Sequence, residues 1–220
     1  MKHNLAQLIY KMALEEAATG VVGNEIEYVY YARLKDVSIL DKATAIEDQE
    51  QWTIKLDKTP KTASPGTLRV RKTTVDSKTE FVLTIKIPQE SLQDVNTQSN
   101  TQVPVTIQNM REVALEATED AFELFKRLSS NGMAKTRYCL PVESSDLVLE
   151  VDRFKLPNGE YSEWVKIDIE VKSPLVEKLQ LPEAFTEVVY NQKNEQTQEE
   201  KDFVWNLYEN VFLTKNVFLK

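Results

Sequence analysis

The sequence predicts an α+β protein in which strands outnumber helices. About eight segments alternate polar and apolar residues, are rich in β-branched and aromatic side chains, and are separated by polar or Gly- and Pro-bearing loops. Two or three other segments repeat apolar residues at helical spacing. Many alternating strands in one domain favour a barrel or a sandwich with helices laid against it. We expect residues 1–220 to form a single domain.

The predicted strands fill the chain from about residue 24 to residue 172. They are, in order, EIEYVYYARL, QWTIKL, TLRVRKTT, EFVLTIKIP, VPVTIQN, KTRYCLP, LVLEVDRF and SEWVKIDIEV. Helical spacing predicts an N-terminal helix within residues 1–20, an inserted helix near 117–130 and a C-terminal helix near 197–213. We expect Trp52, Trp164 and Trp205 to be packing residues.

Composition excludes several classes of function. The formal charge of −8, from 27 Lys and Arg against 35 Asp and Glu, disfavours general binding of nucleic acid or of anionic membranes. No segment has the run of roughly 20 apolar residues that spans a bilayer, so we expect a cytoplasmic location. Cys139 and His3 are single residues of their types, which excludes cysteine zinc clusters and histidine triads. A metal here would be held by carboxylates, which favours Mg²⁺ or Mn²⁺.

Charged residues recur at period two on one face of most predicted strands. In TLRVRKTT, Arg69 and Arg71 share a face, and in SEWVKIDIEV, Asp168 and Glu170 do. Mixed charges on a single strand are typical of a solvated face. Because six strands repeat the pattern, we expect the charged faces to line a common space, which a barrel interior provides. This predicts a barrel rather than a sandwich.

The charged groups are suited to metal and polyphosphate chemistry. Acid pairs within one strand, such as Glu25 with Glu27, can hold a hard divalent cation. Arginine and lysine on neighbouring strands can bind the oxygens of a polyanion. Phosphoryl transfer needs mainly positioning, charge neutralisation and an oriented water. The sequence therefore predicts a metal–polyphosphate site.

The order of these motifs over residues 24–172 resembles the CYTH superfamily, the triphosphate tunnel metalloenzymes. The matching motifs are Glu-x-Glu at Glu25 and Glu27, Arg-x-Arg at Arg69 and Arg71, Lys86, the KTRY stretch at Lys135–Tyr138, EVDRF around Asp152, and the acidic pair Asp168 and Glu170. Six motifs in family order with the same facing are fairly specific. The resemblance implies an eight-stranded antiparallel barrel that forms a tunnel, with flanking helices.

The resemblance also implies an activity, since the family includes thiamine triphosphatases, tripolyphosphatases, RNA triphosphatases and class IV adenylyl cyclases. The expected function is metal-dependent hydrolysis of a triphosphate-containing small molecule. The expected metal ligands for Mg²⁺ or Mn²⁺ are Glu25, Glu27, Asp152, Asp168 and Glu170, with Glu27 and Glu170 also catalytic. The expected triphosphate ligands are Arg69, Arg71, Lys86, Lys135 and Arg137.

One family residue is absent, because Val29 stands where the first motif ends in lysine. We expect Arg33 or Lys35, further along the same face, to compensate for it, and Lys55 and Arg111 to join the basic residues. Val29 also leaves a second hypothesis open, a catalytically inactive module that binds a nucleotide, a polyphosphate or a protein partner, or that forms a homodimer. A third, cyclisation of ATP, would differ from hydrolysis in its product rather than in its site.

Overall fold

The computed structural model describes residues 22–55, 66–88, 93–94, 106–129, 131–143, 145–171, 175, 179–191 and 196–215. The strands are β1 (Val22–Leu34), β2 (Ala45–Lys55), β3 (Thr67–Val75), β4 (Lys78–Pro88), β5 (Gln93–Asp94), β6 (Thr106–Glu116), β7 (Asn131–Pro141), β8 (Val148–Lys155), β9 (Tyr161–Val171), β10 (Phe185–Tyr190) and β11 (Thr214–Lys215). The helices are a 3-10 helix (Val37–Lys42), α1 (Glu119–Leu128), α2 (Gln198–Leu207) and a π-helix (Tyr208–Phe212). The predicted α+β class is confirmed.

All strand pairings are antiparallel and belong to one sheet. They follow the path β1–β9–β8–β7–β2–β3–β4–β6, and residues 107–111 of β6 pair in turn with residues 22–26 of β1. Three strands lie outside this path, since β5 pairs with β6, β10 with β1 and β11 with β7. The described residues therefore contribute eleven strands to this sheet, and its description as an eight-stranded barrel stays a prediction.

Each of the eight predicted strand segments overlaps a strand of the structure, and two of the predicted helices correspond to α1 and α2. The sequence did not predict β10, a strand of six residues with a register shift in its pairing to β1 and with Glu187 at φ 51°. An irregular strand of this kind lacks the regular alternation of polar and apolar residues from which strands are predicted. The predicted N-terminal helix lies outside the described residues.

Alternate residues of β1 and β9 build the largest apolar core. On β1, Ile26, Tyr28 and Tyr30 are buried, and Ile167 and Ile169 of β9 pack beside them. Because alternate side chains of a strand point to opposite faces, the charged residues between these positions must lie on the other face. The predicted facing of both strands is therefore confirmed.

A second apolar core lies between α1 and the strands β2, β3 and β4. Phe122 and Phe125 of α1 are buried against Trp52, Leu68 and other strand residues. The helix begins after Thr118, whose hydroxyl oxygen accepts a hydrogen bond from the Ala121 backbone N–H, as expected of an N-cap. This core covers the face of β3 opposite to Arg69 and Arg71, because Leu68 and Val70 alternate with them along the strand.

The C-terminal segment, defined as α2 together with the π-helix, builds a third apolar cluster. Phe212 stacks on Phe154 with 3.8 Å between ring centroids and on Tyr31 at 6.0 Å. Val29 packs against the same cluster. Trp205, in contrast, is 59% exposed, so its prediction as a packing residue was wrong: its position on α2 faces away from this cluster. None of the helices within the described residues is long and apolar enough to cross a membrane.

Candidate functional site

A cavity of about 550 Å³ collects charged side chains from seven of the strands on the main path. Its basic lining residues are Arg69, Arg71, Lys86, Lys135, Arg137 and Lys166. Its acidic lining residues are Glu27, Glu112, Glu150, Asp152, Asp168 and Glu170. The described lining therefore holds six cations and six anions.

Two groups of charged residues within this lining lie on different strands. We call the basic residues of β3 and β4 the arginine side, which comprises Arg69, Arg71 and Lys86. We call the acidic residues of β8 together with Asp168 of β9 the carboxylate side, which comprises Glu150, Asp152 and Asp168. Cations from β7 and β9 contact the carboxylate side.

Asp152 is the centre of a buried ion-pair network on the carboxylate side. It is fully buried, and its two oxygens accept hydrogen bonds from Lys135 Nζ and from Arg137 Nε at 2.7 Å and Nη2 at 3.0 Å. Burial alone would raise the pKa of Asp152, but attraction to Lys135 and Arg137 outweighs burial and lowers it below its usual value. Burial lowers the pKa of Lys135 to about 8, although Asp152 offsets part of that fall.

Asp168 lies beside this network and is only partly satisfied. Its Oδ2 accepts hydrogen bonds from Lys166 Nζ at 2.6 Å and from Arg137 Nη2 at 3.3 Å. Its Oδ1 is buried and accepts no hydrogen bond from the described residues. A buried oxygen without a donor is costly, and it is available to a ligand cation or a water.

Arg71 differs in its contacts from the cations that pair with the carboxylate side, which are Lys135, Arg137 and Lys166. Its Nε is buried and donates no hydrogen bond within the described part of the chain. Burial lowers the pKa of Arg71 to about 10, and repulsion from Arg69 and Arg137 adds to the effect. Buried positive charge that repels its neighbours is stabilised when an anion binds. The arginine side is therefore suited to bind an anion.

Glu27 and Glu170 face each other across β1 and β9. They are directly opposite in the register of the two strands, and both side chains are exposed. Two carboxylates on opposed positions repel each other unless a cation lies between or beside them. The pair therefore provides oxygen ligands of the kind that Mg²⁺ and Mn²⁺ prefer.

The acidic residues fit a divalent cation that also binds phosphate. Within the described residues, no group of three or more His, Cys, Asp or Glu side chains could hold a metal ion. Magnesium commonly binds through one or two carboxylates, with substrate phosphates and waters completing its shell. Glu27 and Glu170, directly opposite in the β1–β9 register, supply such a partial set.

A second cavity of about 360 Å³ adjoins the first. Gln51, Met133 and Tyr208 line both cavities. Thr53, Asn131 and Leu213 are among the residues that line only the second one. Thr53 is directly opposite Arg69 in the β2–β3 register, so the second cavity begins about one strand spacing, roughly 5 Å, from the arginine side.

Most of the predicted site residues are brought together by the structure. The cavity lining includes Glu27, Arg69, Arg71, Lys86, Lys135, Arg137, Asp152, Asp168 and Glu170. Arg33 is not part of this lining, because its guanidinium pairs with Glu163 at 2.6 Å and with Glu187 at 3.1 Å in an exposed cluster. The side chains of Glu25 and Arg111 lie outside the described residues.

Eight of the described lining residues were not among the predicted site residues: Gln51, Glu112, Met133, Glu150, Phe154, Lys166, Tyr208 and Phe212. Glu150 and Lys166 could have been found, since each lies two residues before a predicted acid on the same strand face. Gln51 is an ordinary polar residue and carries no such signal. Tyr208 lines the cavity because the C-terminal segment folds back onto the strands, which local patterns do not reveal.

No family model matches the chain, and no curated protein matches it. Among solved structures, the chain is similar to the PH1819 protein of Pyrococcus horikoshii OT3, with 21% identity, a TM-score of 0.42 and coverage of 89% of this chain and 96% of that one. A "putative adenylyl cyclase" from Hippeastrum, described as having a dominant triphosphatase activity, has 14% identity, a TM-score of 0.40 and coverage of 68% and 80%. A "putative adenylate cyclase" from Bacillus halodurans has 12% identity, a TM-score of 0.34 and coverage of 69% and 83%. At these values the likeness assigns neither a family nor an activity to the chain.

Proposed function

We propose that the charged cavity binds the triphosphate group of a small molecule and hydrolyses it with the help of Mg²⁺ or Mn²⁺. The observation that carries the proposal is the arginine side, where Arg71 has a buried Nε with no hydrogen-bond partner among the described residues. A triphosphate presents several anionic oxygens in a row, and the planar guanidinium group pairs well with phosphate oxygens.

The proposal includes a barrel of eight strands around the cavity. Each of the eight strands on the main path pairs with two others on that path, because β6 pairs both with β4 and with the first residues of β1. Such a ring of pairings places alternate side chains inside. The charged residues of seven of these strands would then line a tunnel, and the apolar residues between them would face the outer cores.

The chain's own residues would position the reacting groups. Arg69, Arg71 and Lys86 hold the phosphate oxygens, while Glu27 and Glu170 orient a water at the terminal phosphorus. The water oxygen bonds to phosphorus, one carboxylate accepts its proton, and the bond from phosphorus to the bridging oxygen breaks with the electron pair leaving on that oxygen. A bound Mg²⁺ or Mn²⁺, held by Glu27 and Glu170 together with phosphate oxygens and water, would neutralise charge that develops on the phosphate oxygens.

Phosphate release tests this function. The substrates are tripolyphosphate, ATP, GTP and thiamine triphosphate with Mg²⁺ or Mn²⁺, and the variant is Glu27→Gln. General-base catalysis contributes roughly 10²–10⁴-fold, so we expect a loss in that range. Glu163→Gln is the matched control, because Glu163 is an exposed glutamate of β9 that contacts Arg33 rather than the cavity. Equal release by wild type and Glu27→Gln would contradict the catalytic assignment.

A second function, binding without turnover, is favoured by the pairing of the cavity's own charges. Asp152 and Asp168 already contact Lys135, Arg137 and Lys166, and Val29 leaves an uncharged position opposite Asp168. A module of this kind would bind a nucleotide or a polyphosphate, or would use its surface for a protein partner or a second copy. A thermal shift with tripolyphosphate and no phosphate release would support it. Appearance of cyclic AMP from ATP would instead support the cyclase.

A further inference from the structure

Lys166 is a cation on the side of the cavity where acids predominate. It lies on β9, directly opposite Tyr31 of β1 and Asp152 of β8 in the strand registers. Of the six cations in the described lining, five lie on β3, β4 and β7. Lys166 is the sixth, and the described lining residues of β1, β6, β8 and β9 include no other cation. Its position therefore sets it apart from the rest of the basic residues.

The strand path places Lys166 far from the arginine side. From β9 to β3 there are four successive strand pairings by way of β8, β7 and β2. In the other direction, by way of β1, β6 and β4, there are also four. Strands at equal separation in both directions face each other across the space that a ring encloses. Both residues line the same cavity, and in the proposed barrel Lys166 and Arg71 would approach it from opposite walls.

The ammonium group of Lys166 has donors left for a ligand. It donates one hydrogen bond, to Asp168 Oδ2 at 2.6 Å, and makes no other with the described residues. A lysine ammonium carries three N–H donors, and the side chain is 26% exposed, so its tip reaches the cavity. Burial lowers the pKa of Lys166, but attraction to Asp168 and Glu27 outweighs burial and raises it above the usual value.

No residue of β1 offers a cation near this point. Val29 is the residue directly opposite Asp168, and it packs against the cluster that contains Phe212. Arg33, two positions beyond Tyr31, pairs with exposed glutamates. An anion that reached the wall formed by β1 and β9 would therefore meet Lys166 as its nearest positive charge among the described residues of these strands.

We infer that Lys166 is a further substrate-binding residue, which contacts the polyphosphate from the wall opposite Arg71. The inference rests on the proposed function and names a contact within the same site. A chain of phosphates held from two walls is fixed in position, which an ammonium and a guanidinium on one wall cannot achieve. Its role differs from that of Lys135, whose side chain is buried against Asp152.

A purely structural role would be to neutralise Asp168, and the two roles make different predictions. If Lys166 serves only Asp168, its loss should be harmless once that carboxylate is also neutral. If Lys166 contacts the anion, its loss should weaken binding whether or not Asp168 is charged. A double-mutant cycle separates these cases.

The experiment is calorimetric titration with tripolyphosphate in EDTA, so that no metal takes part. We expect Lys166→Met to weaken binding at least tenfold and Lys166→Arg to remain within about threefold of wild type. Asp168→Asn should bind as tightly as wild type or more tightly, because it removes a negative charge. The double variant Lys166→Met/Asp168→Asn should bind at least tenfold more weakly than Asp168→Asn.

Lys155→Met is the matched control, since Lys155 of β8 also pairs with an aspartate, Asp48 at 2.8 Å, and does not line the cavity. It should leave the affinity unchanged. Should Lys166→Met fail to fold, the comparison of Asp168→Asn with the double variant decides alone, because the double variant leaves no carboxylate unpaired at this position. Equal affinity of these two proteins would overturn the inference while leaving the proposed function intact. Absence of binding by wild type would overturn both.

Discussion

The arginine side and the carboxylate side line one cavity but differ in how their charges are satisfied. On the carboxylate side, the buried Asp152 accepts hydrogen bonds from Lys135 and Arg137. On the arginine side, Arg71 has a buried Nε with no partner among the described residues, and repulsion from neighbouring cations helps to lower its pKa. The buried Asp152 is therefore paired within the protein, whereas Arg71 keeps an Nε–H donor that a bound anion would satisfy.

Because of this difference, we expect charged residues of the two sides to have different roles, one in stability and the other in binding. Removing one partner from a buried ion pair leaves an uncompensated charge, so the carboxylate side should matter most for stability. Arg71 is buried beside cations that repel it and its Nε has no hydrogen-bond partner among the described residues, so we expect it to matter more for binding than for folding. Variants on the two sides should therefore separate stability from affinity.

The largest effect is expected for Asp152→Asn. Lys135 and Arg137 would lose their carboxylate in a buried position, and we expect the free energy of unfolding to fall by roughly 3–5 kcal/mol. Urea denaturation followed by circular dichroism measures this change. Glu150→Gln is the matched control, because Glu150 also pairs with Arg137 but its side chain is 31% exposed, so its loss should cost less than about 1 kcal/mol. Equal decreases in the free energy of unfolding for the two variants would contradict the expected difference between a buried carboxylate and a partly exposed one.

The next effect is expected for Arg71→Met, on affinity rather than on stability. Loss of a charge-assisted contact to phosphate should weaken tripolyphosphate binding about 100-fold, which corresponds to about 2.7 kcal/mol. The midpoint of urea unfolding should stay the same or rise, since the variant removes repulsion with Arg69 and Arg137. A stability loss as large as that of Asp152→Asn, with unchanged affinity, would reverse the comparison.

A smaller effect is expected for Lys86→Met. Lys86 pairs with Glu112 at 2.8 Å, and the two side chains are 26% and 34% exposed. Its charge is partly offset by that glutamate and screened by solvent, so we expect tripolyphosphate affinity to fall only about three- to fivefold. Calorimetric titration with tripolyphosphate at low and high salt measures this fall in affinity. A loss of affinity as large as that of Arg71→Met would mean that the exposed fraction of a side chain does not predict how much each cation of the arginine side contributes to binding.

The smallest effect is expected for Arg33→Met. The sequence predicted Arg33 as a triphosphate ligand, but the structure places its guanidinium with Glu163 and Glu187, outside the cavity lining. We expect tripolyphosphate affinity to stay within twofold of wild type. A tenfold loss in the same titration would show that the sequence-based assignment was right.

Period-two alternation was enough to predict which residues share a face. It predicted Arg69 with Arg71 and Asp168 with Glu170, because facing depends only on the backbone of one strand. It could not predict which strands are neighbours, and for that reason it missed that β10 brings Glu187 to Arg33. The network around Asp152 also depends on the register between the consecutive strands β7 and β8, which the alternation within one strand does not specify.

The role of Val29 shows the same limit. From the sequence, valine at this position is a missing charge. In the structure it packs in the cluster that holds the C-terminal segment, which begins 169 residues further along the chain. Its contribution to apolar packing became visible only when Phe212 and Phe154 were seen together.

The most direct test is a calorimetric titration of the wild-type protein with tripolyphosphate and, separately, with orthophosphate, both in EDTA. A cavity whose arginine side is completed by a polyanion should bind one tripolyphosphate per chain, and at least tenfold more tightly than orthophosphate, because several phosphates can contact both walls. Equal affinity for the two anions, or no binding of tripolyphosphate at millimolar concentration, would contradict the account.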